Sequence, residues 1–219
     1  MEKKIFRFLG CSGTFKGTTI CGLMRGARLG YCIPVFSPIK PWKRHFGKGG
    51  VLEGVLGEGH DNLDLAGLSL VTLEQALWQT RLDPDLNTIF VERSVLDNLF
   101  YWCKSTDRFC AKDKETRYFI KKVREEELEI MKKYDVSEFK NTILYMEDTE
   151  FIEKEILKEP TRREWFPTVG DYLHFENEYL EFMKKYLGTK MLWIRRIGNA
   201  VEYLEKIKRG EMMLSEKLD

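Results

Sequence analysis

Residues 10–19 read Gly10-Cys11-Ser12-Gly13-Thr14-Phe15-Lys16-Gly17-Thr18-Thr19, between an apolar β-prone run at 3–9 and a helical pattern at about 18–29. A glycine-containing turn in that place presents backbone N–H groups and a helix N-terminus to a polyphosphate. A lysine there neutralises the β/γ charge, and a hydroxyl can reach magnesium. Gly10 and Lys16 have the spacing of G-x-x-x-x-G-K-[ST], with Phe15 in the second glycine's place and Gly17 after the lysine. On this reading Gly10, Ser12, Gly13, Thr14, Lys16, Gly17, Thr18 and Thr19 bind a nucleotide. The plain alternative is an ordinary turn between strand and helix.

Glu92-Arg93-Ser94 closes the short apolar run 88–91. A carboxylate and a guanidinium at the C-terminal edge of a parallel strand face the crevice where ligands bind in such sheets; a surface ion pair is the plain alternative. Lys154, Lys158, Arg162 and Arg163 lie within a charged stretch at about 150–166. Phosphoryl transfer is mostly positioning plus charge stabilisation, so these cations would suit a lid as well as a solvated helix. Lys40, Lys43, Arg44 and Lys48 form a basic cluster fit for a phosphate or a nucleic-acid backbone, with a solvated face as the ordinary reading.

The elements that must hold these groups alternate. Apolar runs at 3–9, 31–36, 88–91, 142–146 and 190–194 predict strands, and helical patterns fall at about 68–81, 95–103, 115–134, 150–158, 171–187 and 199–209. Pro34 argues against a central place for the second strand. Seven glycines between His45 and Gly67 predict a loop-rich insertion at about 45–67. Strands alternating with helices indicate an α/β fold, a parallel sheet of about five strands with helices on both faces. Without repeat or linker, residues 1–219 read as one domain.

The 219 residues are 43% hydrophobic and 32% charged, enough apolar mass for a packed core and too much for a disordered tail. A net charge of +1 gives no global pull toward nucleic acid or membrane. No run approaches the ~18 apolar residues that cross a bilayer. Five scattered cysteines without a Cys-x-x-Cys pair, and three separated histidines, give no zinc pattern and suggest reduced thiols in a cytoplasmic protein. Trp78, Trp102, Trp165 and Trp193 read as core or interface aromatics.

The Lys16-Gly17-Thr18 ending resembles the adenylate kinase loop G-x-P-G-x-G-K-G-T, with Ser12 where that loop has proline. Ser37-Pro38-Ile39-Lys40-Pro41-Trp42 is similar to the E-P-V-x-x-W of deoxyribonucleoside kinases, with Ser37 replacing the glutamate that acts as general base. Glu92-Arg93-Ser94 resembles the E-R-S or D-R-S motif of deoxyribonucleoside and thymidylate kinases. In order along the chain, these motifs resemble the P-loop kinase superfamily. The resemblance implies a three-layer P-loop kinase fold, ATP and Mg2+ as cofactors, and a nucleoside or nucleotide acceptor. It further implies Lys16 on the β/γ-phosphates, Thr18 and Glu92 near the metal, and Arg93 orienting the acceptor. Arg162 and Arg163 would close as a lid, with Ser37, Trp42 and Asp97 beside the substrate.

A nucleotide's phosphate oxygen is already anionic and needs no base, so Ser37 shifts weight toward a phosphorylated acceptor, or toward Glu92 or Asp97 as base. Two alternatives stand: a kinase of hydroxymethylated pyrimidines in DNA, and a non-catalytic nucleotide-binding protein of the same fold. Family members are often dimers, so the resemblance allows a homodimer, but the sequence does not set the oligomeric state and no apolar interface stripe stands out.

Overall fold

A computed structural model describes residues 2–26, 32–35, 62–83, 85–105, 114–188 and 192–211. Its frame is a five-stranded sheet in the order β2-β3-β1-β4-β5, formed by β1 (Lys3–Leu9), β2 (Cys32–Val35), β3 (Thr88–Glu92), β4 (Val136–Met146) and β5 (Leu192–Ile197). β2 runs parallel to β3 with Cys32 opposite Thr88, and β4 parallel to β5 with Asn141 opposite Leu192. β1 and β3 are the contiguous apolar runs, and both are buried along almost all their length. β2 lies at the sheet edge, the place in a sheet where a proline such as Pro34 is tolerated. The architecture is α/β, a parallel sheet flanked by helices, as the alternating pattern predicts.

The helices are α1 (Lys16–Gly26), α2 (Asn62–Leu82), α3 (Val95–Ser105), α4 (Lys114–Lys133), α5 (Thr149–Phe151), α6 (Pro160–Trp165), α7 (Val169–Leu187) and α8 (Ala200–Lys208). A π-helical turn, Ile152–Ile156, continues α5. Three boundaries differ from the pattern. α2 begins at Asn62, with Leu65 and Ala66 buried, so residues 62–67 of the expected glycine-rich loop are helix. The remainder of that loop, the basic cluster at 40–48, and Ser37 and Trp42 lie outside the described residues. β4 starts at Val136; its first half is half-exposed and polar, which hides the strand from a hydrophobic search. The expected helix at 150–158 is instead a short α turn passing into the π turn. Of the tryptophans expected as core or interface aromatics, Trp102 is buried, Trp193 half-buried, and Trp78 and Trp165 exposed.

The chain divides into two compact units: Met1–Arg7 with Tyr31–Phe139, and Phe8–Gly30 with Lys140–Asp219. The first is built on a cluster of Ile5, Leu73, Leu77, Ile89, Val91 and Met131, with Ile33 and Phe139 packed against it. Within this apolar setting Glu127 is held by two guanidiniums. Arg7 Nη2 bonds it at 2.5 Å, and Arg124 Nη1 pairs with its other oxygen. Both arginines lie over the Phe139 ring, at 4.6 and 5.6 Å from its centroid. The second unit holds α1, β5, α7 and α8, with β4 from Lys140 onward. Here α1 crosses α8 so closely that a Cβ on Gly22 would come 2.4 Å from Ile207 Cγ2.

Candidate phosphate-binding site

The second unit carries the loop between β1 and α1. Its backbone enters the left-handed region three times, at Gly10 (φ 138°), Gly13 (φ 99°) and Phe15 (φ 59°). Glycine is required at the first two for space as well. A Cβ at Gly10 would sit 2.5 Å from the Leu144 carbonyl oxygen, and one at Gly13 would meet Ile156 at 3.0 Å. Phe15 adopts the conformation that the pattern assigns to glycine, at a cost of roughly 1–2 kcal/mol. Its ring offsets this by packing 5.2 Å from Phe151 and 6.1 Å from Tyr203, centroid to centroid. Phe15 therefore changes the chemistry of that position and keeps its backbone.

Lys16 opens α1 and is 4% exposed. Its Nζ donates to the Gly10 carbonyl at 2.9 Å and the Cys11 carbonyl at 2.6 Å, and lies 3.4 Å from Thr14 Oγ1. Thr14 is buried and donates to the Cys11 carbonyl at 3.0 Å. The lysine is thus folded across the loop that it serves. Of the two threonines, Thr19 is buried with its hydroxyl 2.8 Å from Tyr203 Oη, and Thr18 is exposed on the first helical turn. Among the described residues no three acidic, cysteine or histidine side chains gather as a metal cage. Mg2+ carried on a nucleotide's phosphates needs only one or two protein oxygens, and the Thr18 hydroxyl is a hard oxygen of that kind.

Helix α7 backs the loop, which sequence reasoning missed. The Tyr172 hydroxyl donates to the Ser12 carbonyl at 3.0 Å, and the Gly10 N–H donates to Tyr179 Oη at 3.0 Å. Glu176 lies between them on the same helix face, buried, and accepts the Met146 N–H at 3.2 Å. Burial pushes the Glu176 carboxyl up to about 8, against the opposing pull of the Met146 N–H and the Lys16 ammonium. A glutamate at i+4 between two tyrosines, on a face otherwise aromatic, was the available signal.

The lid candidates stand apart from this loop in character. Arg162 pairs with Glu159 at 2.8 Å, and Arg163 with Glu153 at 2.7 Å and the Pro167 carbonyl at 3.0 Å. Lys154 pairs with Glu150, and Lys158 is exposed. Exposed pairs of this sort are worth about 0–1 kcal/mol, so a phosphate can displace their carboxylates at little cost. A π turn just before such residues is a recurrent feature of functional segments.

The Glu92-Arg93-Ser94 motif belongs to the first unit. Glu92 ends β3 buried, and Arg93 turns the chain at φ 73° with its guanidinium 5.3 Å from the Tyr101 ring centroid. Among the described residues Phe15, Arg93 and Asp135 are the non-glycine residues at positive φ, and two of the three lie in the sequence motifs. Asp135 is an ordinary turn residue; a bulky residue held there marks strain of the sort that collects at functional sites. A small cavity lies beside the motif, lined among others by Arg7, Thr72, Leu73, Val91, Glu92 and Arg93, with room for little more than a water. Ser94 and Asp97 serve α3. The Ser94 N–H and hydroxyl bond Asp97 Oδ2 at 2.6 and 2.9 Å, and Ser94 Oγ accepts the Leu96 N–H at 3.1 Å. This capping arrangement accounts structurally for Asp97, an expected substrate contact.

No helix among the described residues is long and apolar enough to cross a membrane. No protein-family model and no curated protein matches the chain. Solved structures do: the thymidylate kinase from Ehrlichia chaffeensis superposes with a TM-score of 0.51 at 12% identity, covering 95% of this chain and 99% of that one. At that identity the likeness is one of fold: this chain shares the α/β architecture of that thymidylate kinase.

Proposed function

We propose that the chain is a single-domain ATP-dependent phosphotransferase that moves the γ-phosphate to a deoxynucleoside or deoxynucleotide. The observation that carries this reading is the loop itself, which keeps left-handed backbone at Phe15 and a buried lysine at the start of α1. Lys16 would exchange its carbonyl partners for β/γ-phosphate oxygens, while the N–H groups around Gly13 and the α1 N-terminus receive the remaining charge. Thr18, and Glu92 from the E-R-S motif, would hold Mg2+, which when bound neutralises charge on the phosphates. Arg93 would orient the acceptor, and Arg162 and Arg163 would leave Glu159 and Glu153 to meet the transferring group. The serine at position 37 favours a monophosphate acceptor, whose oxygen needs no base.

The test is transfer of labelled γ-phosphate from Mg-ATP to deoxynucleosides, deoxynucleoside monophosphates and DNA carrying hydroxymethylated pyrimidines. Product is expected with a monophosphate, falling by about a hundredfold or more in Lys16→Ala. Folded protein that binds ATP and labels none of these acceptors would instead establish the non-catalytic alternative, in which the ring of Phe15 has replaced a functional glycine.

A further inference from the structure

Tyr172, Glu176 and Tyr179 fall on one face of α7, and the two tyrosines are bonded to the phosphate loop. The carboxyl between them is 2% exposed. Its Oε1 accepts the Met146 N–H and lies 3.5 Å from the Tyr172 hydroxyl, while Oε2 is buried with no hydrogen-bond partner among the described residues. The titratable and charged groups that act on it are Lys16 from the start of α1, Tyr145 from β4, Glu147 just beyond β4, and Tyr172 of its own helix. Among these, Lys16 is the one cation and Glu147 the one other carboxyl, and the Lys16 ammonium is also bonded to the Gly10 and Cys11 carbonyls. A carboxylate so placed is poorly solvated, which is why burial raises it to about 8. At neutral pH the side chain is a neutral acid on the helix face that is bonded to the loop leading into Lys16.

We infer that Glu176 is a positioning residue for the phosphate loop: as a neutral acid it leaves the Lys16 ammonium to a polyphosphate, and as a carboxylate it competes for that ammonium. The inference rests on the phosphate-binding reading of the loop. Its balance is one reversible proton, released to solvent when the carboxyl ionises and taken up again when a polyphosphate brings further negative charge to Lys16. Affinity for the polyphosphate is then linked to that proton.

The test is calorimetric titration of Mg-ADP into the full chain at pH 7 and pH 9, with Glu176→Gln beside it. Affinity of the unaltered protein is expected to fall by about tenfold over that interval, the change set by one linked proton. Glu176→Gln, fixed in the neutral shape, is expected to hold its affinity within about twofold. Parallel profiles for the two proteins would overturn the inference while leaving the loop's function intact. Failure of both to bind at either pH would overturn the phosphate-binding reading and this inference with it. Should Glu176→Gln not fold, the unaltered protein decides alone: titrations at pH 8.5 in buffers of different ionisation enthalpy must show proton uptake on binding, and none would reject the inference.

Discussion

Each unit of the molecule buries a glutamate on a helix, and the two are driven in opposite directions. Glu127 on α4 is as buried as Glu176 on α7. Burial alone would raise the Glu127 carboxyl, but the Arg7 and Arg124 guanidiniums reverse this and hold it below the ordinary carboxylate range. Glu176 receives one backbone N–H, a long contact from the Tyr172 hydroxyl and the pull of one lysine, and burial wins. Desolvation is common to both, so the number of cationic donors decides the outcome. Two guanidiniums make a permanent ion network that serves the first unit's packing. A single, shared ammonium leaves a carboxyl able to titrate, and it lies beside the loop that would meet substrate.

The largest effect expected from breaking this contrast is at Glu127. Glu127→Ala leaves two buried guanidiniums without their carboxylate and should destabilise by about 3–5 kcal/mol, read from urea unfolding at pH 7. A loss under about 1 kcal/mol would show that the network contributes little. Glu176→Gln should do the opposite. Because the folded state holds the Glu176 proton more tightly than the unfolded chain, folding takes up a proton between pH 4.5 and about 8. That contribution is complete below 4.5 and is lost as pH rises through 8, so the variant should gain on the unaltered protein across this window, by about 2–4 kcal/mol at its upper end. Stability curves that stay parallel from pH 5 to 8 would refute it.

Phe15 sharpens the picture on a smaller scale. Phe15→Ala loses the ring contacts and keeps the left-handed strain, whereas Phe15→Gly loses the contacts and relieves the strain. Thermal unfolding should rank glycine above alanine by about 1 kcal/mol. Equal stabilities would mean that the loop has left the phosphate-binding conformation. The smallest change in stability is expected at Arg163→Gln, within about 0.5 kcal/mol because its pair with Glu153 is exposed. Phosphate transfer should nonetheless fall in that variant, and unchanged transfer would remove Arg163 from the lid.

What the sequence made legible follows burial. β3 opens with an apolar run and β1 is apolar from Ile5 to Leu9 but for Arg7, and the spacing of Gly10 to Lys16 survives the phenylalanine, so the loop and its frame are readable. The first half of β4 is not, since Ser137, Glu138 and Lys140 do not mark a buried strand. Nor are the first turns of α2, where Asn62, Asp64 and Gly67 resemble a loop. The π turn has no sequence pattern of its own. The partnership between α7 and the phosphate loop is hidden for another reason: contacts across some 160 residues are set by the crossover topology, and local periodicity carries no record of them. Ser94-x-x-Asp97 is the converse case, a capping signature that local reasoning could have assigned to helix α3 before any ligand.

The three tyrosines bonded to the loop and the first turn of α1 also fix a schedule. Tyr172, Tyr179 and Tyr203 follow their partners Ser12, Gly10 and Thr19 by 160, 169 and 184 residues. At a ribosomal rate of about 5–20 residues per second, the loop waits about 10 to 40 s after its own synthesis before the groups that hold it exist. The residues of the first unit all precede Lys140, so they are synthesised before any of these three tyrosines. The loop thus gains its last support only when Tyr203 has been made, and a chain cut short before it would carry the 10–19 sequence without its full set of supports.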